Sequence, residues 1–122
     1  MKNLVKVSTI DPMIEEEVEF LVENQKIVAF NVSPQELVIG KEYEAEIDIF
    51  INDFFEVEKQ GNEQVKKVKH LNNFSYTLWG KLLEDHVLDV GFFITSDLFE
   101  DYEYLVGQYI SLEVDRLQIY CE

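Results

Sequence analysis

GQYISLEVDRLQIYC, residues 107–121, changes phase in its middle. Ile110, Leu112 and Val114 share one parity, and Leu117, Ile119 and Cys121 share the other. Side chains of a strand alternate between faces with a period of two, so a one-residue slip at Asp115 and Arg116 carries the apolar set to the opposite face. The slip predicts a bulge, or a strand that leaves one sheet and enters another.

Two-residue periodicity dominates the rest of the chain. EYEAEIDIFI, residues 42–51, puts Tyr43, Ala45, Ile47, Ile49 and Ile51 on one side and Glu42, Glu44, Glu46 and Asp48 on the other, with Phe50. This strand could run on through residues 52–58. Residues 14–22 set Val18, Phe20 and Val22 against Glu17 and Glu19, and residues 23–26 read as a turn into IVAFNV, 27–32, which Ser33 and Pro34 end. Residues 73–84 alternate again, and Gly80 inside them predicts a bulge or a sharp bend. A turn at 84–87 leads into residues 88–95, where Leu88, Val90, Phe92 and Ile94 are in phase. The N-terminal residues read as an apolar patch broken by Lys6 and Ser8, and residues 59–72 as a loop. SDLFEDYEYL, 96–105, loses the period; Ser96 or Asp97 is placed to cap one or two helical turns with an acidic start.

The sum is an all-β fold in one domain, residues 1–122: a small five- to six-stranded Greek-key barrel with one short helix before the last strands. The stretches VGQYISLEVDRLQIY and YTLWGKLLEDHVLDVGFFI, within a strand pattern over 14–121, resemble small bacterial oligonucleotide/oligosaccharide-binding-fold (OB-fold) proteins of unknown function. That resemblance implies an OB-like barrel, but a fold does not carry a function.

Charge is the strongest global signal. The chain holds 25 acidic and 10 basic residues, net −15, and Arg116 is its one arginine. Phosphate backbones are bound by Lys and Arg that displace counterions, so this balance argues against direct nucleic-acid binding and favours a basic protein partner. The positive charge is concentrated in 59–72, which carries four lysines against one glutamate. The single cysteine excludes a disulfide framework and points to a reducing, cytoplasmic setting. There is no signal-peptide pattern and no apolar run near the ~18 residues that span a membrane.

The sequence gives no reason to call the chain an enzyme. His70 and His86 lack a neighbouring nucleophile signature, and Cys121 reads as a small core residue. One cysteine and two separated histidines do not make a zinc set, and Asp97, Glu100, Asp101 and Glu103 lack the spacing of a calcium loop. No cofactor motif is present; the Gly-Lys pairs at 40–41 and 80–81 lack the rest of a phosphate loop.

Two features remain as candidate partner-binding sites: the carboxylate row Glu42, Glu44, Glu46 and Asp48, and the acidic-aromatic stretch containing Glu100, Asp101, Tyr102 and Tyr104. Like charges about 7 Å apart on one strand face are costly to bury, so the row must meet water, the chain's own Lys66, Lys67 and Lys69, or a basic partner. The leading expectation is an acidic interaction module, such as an inhibitor or immunity-type protein that masks a basic partner. The alternatives are a barrel that binds a small ligand or saccharide through Trp79 and Phe93, and a subunit of a larger assembly.

Overall fold

A computed structural model describes residues 1–14, 16–52, 56–72 and 74–122. Five strands close a barrel: β1 (Asn3–Ile10), β2 (Glu17–Val22), β3 (Gln25–Asn31), β4 (Glu42–Phe50) and the last strand, β11 (Arg116–Cys121). They follow one another around the ring in the order β1-β2-β3-β11-β4. The residues between β4 and β11 build a second sheet from β5 (Glu58–Lys59), β6 (Lys67–His70), β7 (Tyr76–Leu83), β8 (Val87–Asp89), β9 (Phe93–Thr95) and β10 (Tyr109–Val114). A 3-10 helix, Asp97–Leu105, lies between β9 and β10.

The phase slip at Asp115 is a change of sheet. β10 pairs with β7 in the second sheet, and one residue later β11 pairs with β4 and, in parallel, with β3 in the barrel. Ile110, Leu112 and Val114 are buried on the first side of the slip, and Leu117, Ile119 and Cys121 on the second. The crossing is clamped: Asp115 N–H donates to the Phe50 carbonyl (3.1 Å), and Asn52 N–H donates to the Asp115 carboxylate (2.7 Å).

β1 closes the other side of the ring. Its first half pairs with β4 and its second half with β2, with a register shift between Val7 and Thr9. An irregularity of this kind bends a strand, which lets one segment serve two neighbours at a barrel corner. Two hairpins are closed by residue pairs in the left-handed region, Glu23 and Asn24 (φ 48° and 63°) and Asp85 and His86 (φ 63° and 62°), the geometry that suits the twist of flanking strands.

Barrel and second sheet share one apolar cluster, into which the helix sends Phe99 and Leu105. Two polar contacts stitch them together. The buried Asn3 side chain donates to the Phe93 carbonyl and accepts from the Phe93 N–H, both at 2.8 Å, as a strand neighbour would. The Val28 N–H of β3 donates to the Tyr76 hydroxyl of β7 at 2.7 Å.

Several expectations are corrected. The N-terminal patch is a full strand, because Asn3, Val5 and Val7 face inward while Lys2, Leu4 and Lys6 face out. Residues 59–72 contain strand β6 and, with Glu58, strand β5, rather than only a loop. β6 is a short, lysine-bearing strand paired on one side to β7; lysines on such edges discourage pairing with another chain. Residues 88–95 form the tight β8-β9 hairpin in place of one strand. The helix is longer than one or two turns, with a break at Tyr102 (φ −116°, ψ 20°), and Ser96 caps it by accepting from the Leu98 N–H. The possible extension of the 42–51 strand stops at Phe50, and residues 53–55 of that stretch lie outside the described residues.

Gly80 is neither bulge nor bend. The β7-β10 register runs unbroken through Ile110 and Gly80. A Cβ at position 80 would lie 2.4 Å from the Asp89 carbonyl oxygen and 2.9 Å from its carbon, so glycine is needed for the close approach of β8. Gly80→Ala is expected to cost about 3 kcal/mol, since backbone must move to admit the methyl group. Urea unfolding checks this; an unchanged midpoint would contradict the tight β7-β8 contact.

Candidate functional site: an acidic face on the barrel

The alternation of β4 puts Tyr43, Ala45, Ile47 and Ile49 inside the barrel and leaves Glu42, Glu44, Glu46 and Asp48 exposed outside. Register then fixes their neighbours. On the β1 side Lys6 stands opposite Glu42 and Leu4 opposite Glu44; on the β11 side Tyr120 stands opposite Glu46 and Gln118 opposite Asp48. Leu4 is 62% exposed and Tyr120 44% exposed, so apolar and aromatic area flanks the carboxylates on both sides.

The chain's own cations approach this row from the β1 side, where Lys6 stands opposite Glu42 and Lys2 lies close enough for Glu44 and Glu46 to act on its charge. Lys2 pairs with Glu122 at 2.6 Å, and its ammonium is held above the usual lysine range by that bond, against desolvation, with the charges of Glu122, Glu44 and Glu46 adding to it. The lysine-rich segment lies on the second sheet instead. Lys66 pairs with Asp89 at 2.8 Å, and Lys67 Nζ lies 4.5 Å from the centre of the Trp79 ring. Desolvation pushes the Asp89 carboxyl up, but the Lys66 ammonium, the Gly91 N–H and the charge of Lys81 outweigh it and hold it below the usual range. The one arginine is used elsewhere too: the Arg116 guanidinium carbon sits 4.2 Å from the Phe30 ring centre and 4.4 Å from that of Phe50, tying β11 to β3 and β4.

The two acidic features meet at one end. Asp48 accepts from the Ile49 N–H at 2.7 Å and reaches the Ser96 hydroxyl, and Asp97 lies close enough to act on its charge. Desolvation is the leading influence on Asp48 and raises its pKa; the Ile49 and Ser96 bonds pull the other way, while Asp97 and Glu46 add to the rise. The row on β4 therefore continues onto the start of the helix. Along the helix Glu100, Asp101 and Tyr104 are exposed, Tyr104 to 77%, whereas Tyr102 is partly buried against the core with its ring 6.2 Å from that of Tyr104. His86 faces this helix from the β7-β8 turn, with Nδ1 4.0 Å from Asp97 and Nε2 3.6 Å from Glu103. Six of the eight sequence-derived residues, Glu42, Glu44, Glu46, Asp48, Glu100 and Asp101, are thus exposed carboxylates on two joined elements, and Tyr104 is the exposed aromatic among them.

Sequence reasoning missed Leu4 and Tyr120. Tyr120 was legible, because it is out of phase with inward Leu117, Ile119 and Cys121. Leu4 was not, because its parity has meaning only once β1 is known to be a strand.

The remaining residues of interest fall elsewhere. Trp79 and Phe93 stand in β7 and β9 with β8 between them. His70 stacks on Tyr76 at 4.9 Å, and Cys121 is buried, its thiol pushed up by desolvation despite Ser33. Shallow concavities of about 440 Å³ by Glu56, Glu58, Glu113 and Asp115, and about 290 Å³ beside Trp79, mark the second sheet. Among the described residues no group of three or more His, Cys, Asp or Glu is arranged to hold a metal ion, and no helix is long and apolar enough to cross a membrane.

A family model matches residues 1–121, a match that takes in the barrel, the second sheet and the acidic face together. The chain belongs to the family described as uncharacterised conserved protein UCP019853. Searches of curated proteins and of solved structures return no match.

The Asp48 environment sets a pH test. A carboxyl whose pKa is higher folded than unfolded binds its proton more tightly when folded, so its contribution favours folding at low pH and is lost as pH rises through the folded value. Asp48→Asn, which keeps an acceptor for the Ile49 N–H, should therefore raise the urea midpoint at pH 7. The gain should shrink as pH falls through the carboxylate range, about pH 4. A gain that is constant with pH would show that the charge of Asp48 is not strained.

Proposed function

We propose that the protein is a non-enzymatic acidic interaction module that captures a basic protein partner on the barrel face of β4 and the adjoining 3-10 helix. The observation that carries this reading is the exposed row Glu42, Glu44, Glu46 and Asp48, flanked by Leu4 and Tyr120, none of whose carboxylates forms an ion pair with a described residue. Carboxylates steer a cationic surface into place and raise the association rate, while exposed apolar and aromatic groups supply contact area once the surfaces meet. An inhibitor or immunity-type protein that masks a basic enzyme has these requirements.

The ligand-binding alternative has less to rest on. The barrel interior is filled, with Phe20, Ile27, Ala29, Ala45, Ile47, Leu117, Ile119 and Cys121 each at 0% exposure. An OB-like barrel of this kind has to bind on its outside, and there the acidic face offers repulsion to phosphates and anionic sugars.

The test is parallel capture from a lysate of the source organism by the wild type and by Glu44→Lys/Glu46→Lys, eluted with a salt gradient. A basic protein released from the wild type at moderate salt and absent from the variant is the expected result. For that partner the double reversal should slow association about tenfold or more at low ionic strength, with a smaller effect on dissociation. Equal capture by both proteins would remove the electrostatic argument.

A further inference from the structure

The 3-10 helix and the β7-β8 turn border a shallow cavity of about 340 Å³. Leu82 and Phe99 line it as buried groups, and Leu83 and Val106 line it with part of their side chains open to solvent. Carboxylates stand on both walls: Glu84 and Asp85 come from the turn and Glu103 from the helix, and all three are exposed. His86 is the one basic group of the described lining. The cations of neighbouring segments are held elsewhere, Lys81 opposite Asp89, on whose charge it acts, and the N-terminal ammonium 3.2 Å from the Thr95 hydroxyl.

This cavity adjoins the acidic face. The His86 imidazole lies 3.6 Å from Glu103 and 4.0 Å from Asp97, and Asp97 acts in turn on Asp48 at the end of the β4 row. Apolar lining beside carboxylates of one sign fits a side chain that combines an aliphatic stem with a cationic head. We propose that the cavity receives an arginine side chain of the basic partner. The proposal rests on the reading of β4 and the helix as the face that captures a basic protein, and it names the residue type by which that partner is anchored.

The arrangement of the walls favours arginine over lysine. A guanidinium is planar, weakly hydrated on its faces and carries a fork of N–H donors, so it lies flat against the His86 ring while donating to Glu103 on one side and to the turn carboxylates on the other. An ammonium is compact and strongly hydrated, and beside carboxylates this exposed it keeps its water. Exposed ion pairs contribute little one by one, so the selectivity comes from the stacked plane and the shared fork. Arginine is also among the residues that most often anchor protein interfaces.

Backbone amide and His86 imidazole chemical shifts of the labelled protein test this at about pH 8, above the range in which histidine side chains ordinarily gain a proton. The titrants are the acetyl- and methylamide-capped forms of arginine, lysine and citrulline, the last an uncharged counterpart of arginine. The arginine derivative should give saturable shifts at residues 84–86 and 103–106. The lysine derivative should bind about fivefold or more weakly, and the citrulline derivative should leave these residues unmoved. Asp85→Asn/Glu103→Gln should weaken binding of the arginine derivative about fivefold or more; Asn suits the left-handed backbone at position 85 (φ 63°), so the turn is kept. The absence of saturable shifts at the cavity overturns the proposal, as do equal affinities for arginine and lysine, or binding that the double variant leaves unchanged. If the arginine derivative fails to bind while a basic protein is still captured through Glu44 and Glu46, the proposal falls and the reading of the acidic face stands. If it binds while reversal of Glu44 and Glu46 leaves capture unchanged, the cavity stands as an arginine site and the reading of the β4 row falls.

Discussion

The change of sheet at Asp115 is the constraint on which the other parts depend. A single extended segment serves as the inner partner of β7 and then, after one residue, as the strand that closes the barrel between β3 and β4. The geometry leaves little freedom at the corner, and the Phe50 carbonyl and Asn52 N–H hold Asp115 from both sides. Because the corner fixes the register of β11 on β4, it also fixes which β4 residues face the lumen. Isoleucines in and carboxylates out is the one arrangement that avoids burying unpaired charge, at a cost of several kcal/mol for each carboxylate reversed. The acidic face is thus a consequence of how the barrel closes.

The second sheet shapes the electrostatics by where it takes the cations. Lys66, Lys67 and Lys69 might have folded back over the β4 row and neutralised it; instead β6 pairs with β7 and carries them onto the second sheet. Arg116, which lies next to the row in the sheet, is held between two phenylalanine rings. The result is that the three lysines lie among the carboxylates of the second sheet, Glu58, Glu63, Asp89 and Glu113, and the β4 row keeps its charge through strand pairing, not through flexible side chains.

Much of this was legible in the residues. The parity of 42–51 gave the faces of β4, the slip at 115 and 116 narrowed that segment to a bulge or a crossing, and Ser96 and Asp97 before acidic residues marked the helix start, because each depends on local periodicity or local hydrogen bonding. What failed depends on partners distant in sequence. β1 looks broken by Lys6 and Ser8 until it is paired with both β2 and β4, and β6 looks like a loop until β7 offers it an edge. Gly80 was read as a local irregularity, although the reason for it is the Asp89 carbonyl on a neighbouring strand. The candidate site shows the same division: the individual carboxylates could be named from the sequence, whereas the meeting of Asp48 with Ser96 and Asp97 required the tertiary fold.

The central claim is that recognition of positive charge is localised on β4 and the helix, and is not a diffuse property of a chain with net charge −15. The most direct measurement is a titration of the isotopically labelled protein with a short oligolysine peptide, followed by backbone amide chemical shifts. The account predicts saturable shifts confined to Glu42–Asp48, the flanking Leu4 and Tyr120, and the helix from Asp97 to Tyr104. Shifts centred on the other acidic concavity, at Glu56, Glu58 and Glu113, or spread evenly over every exposed carboxylate, would contradict it.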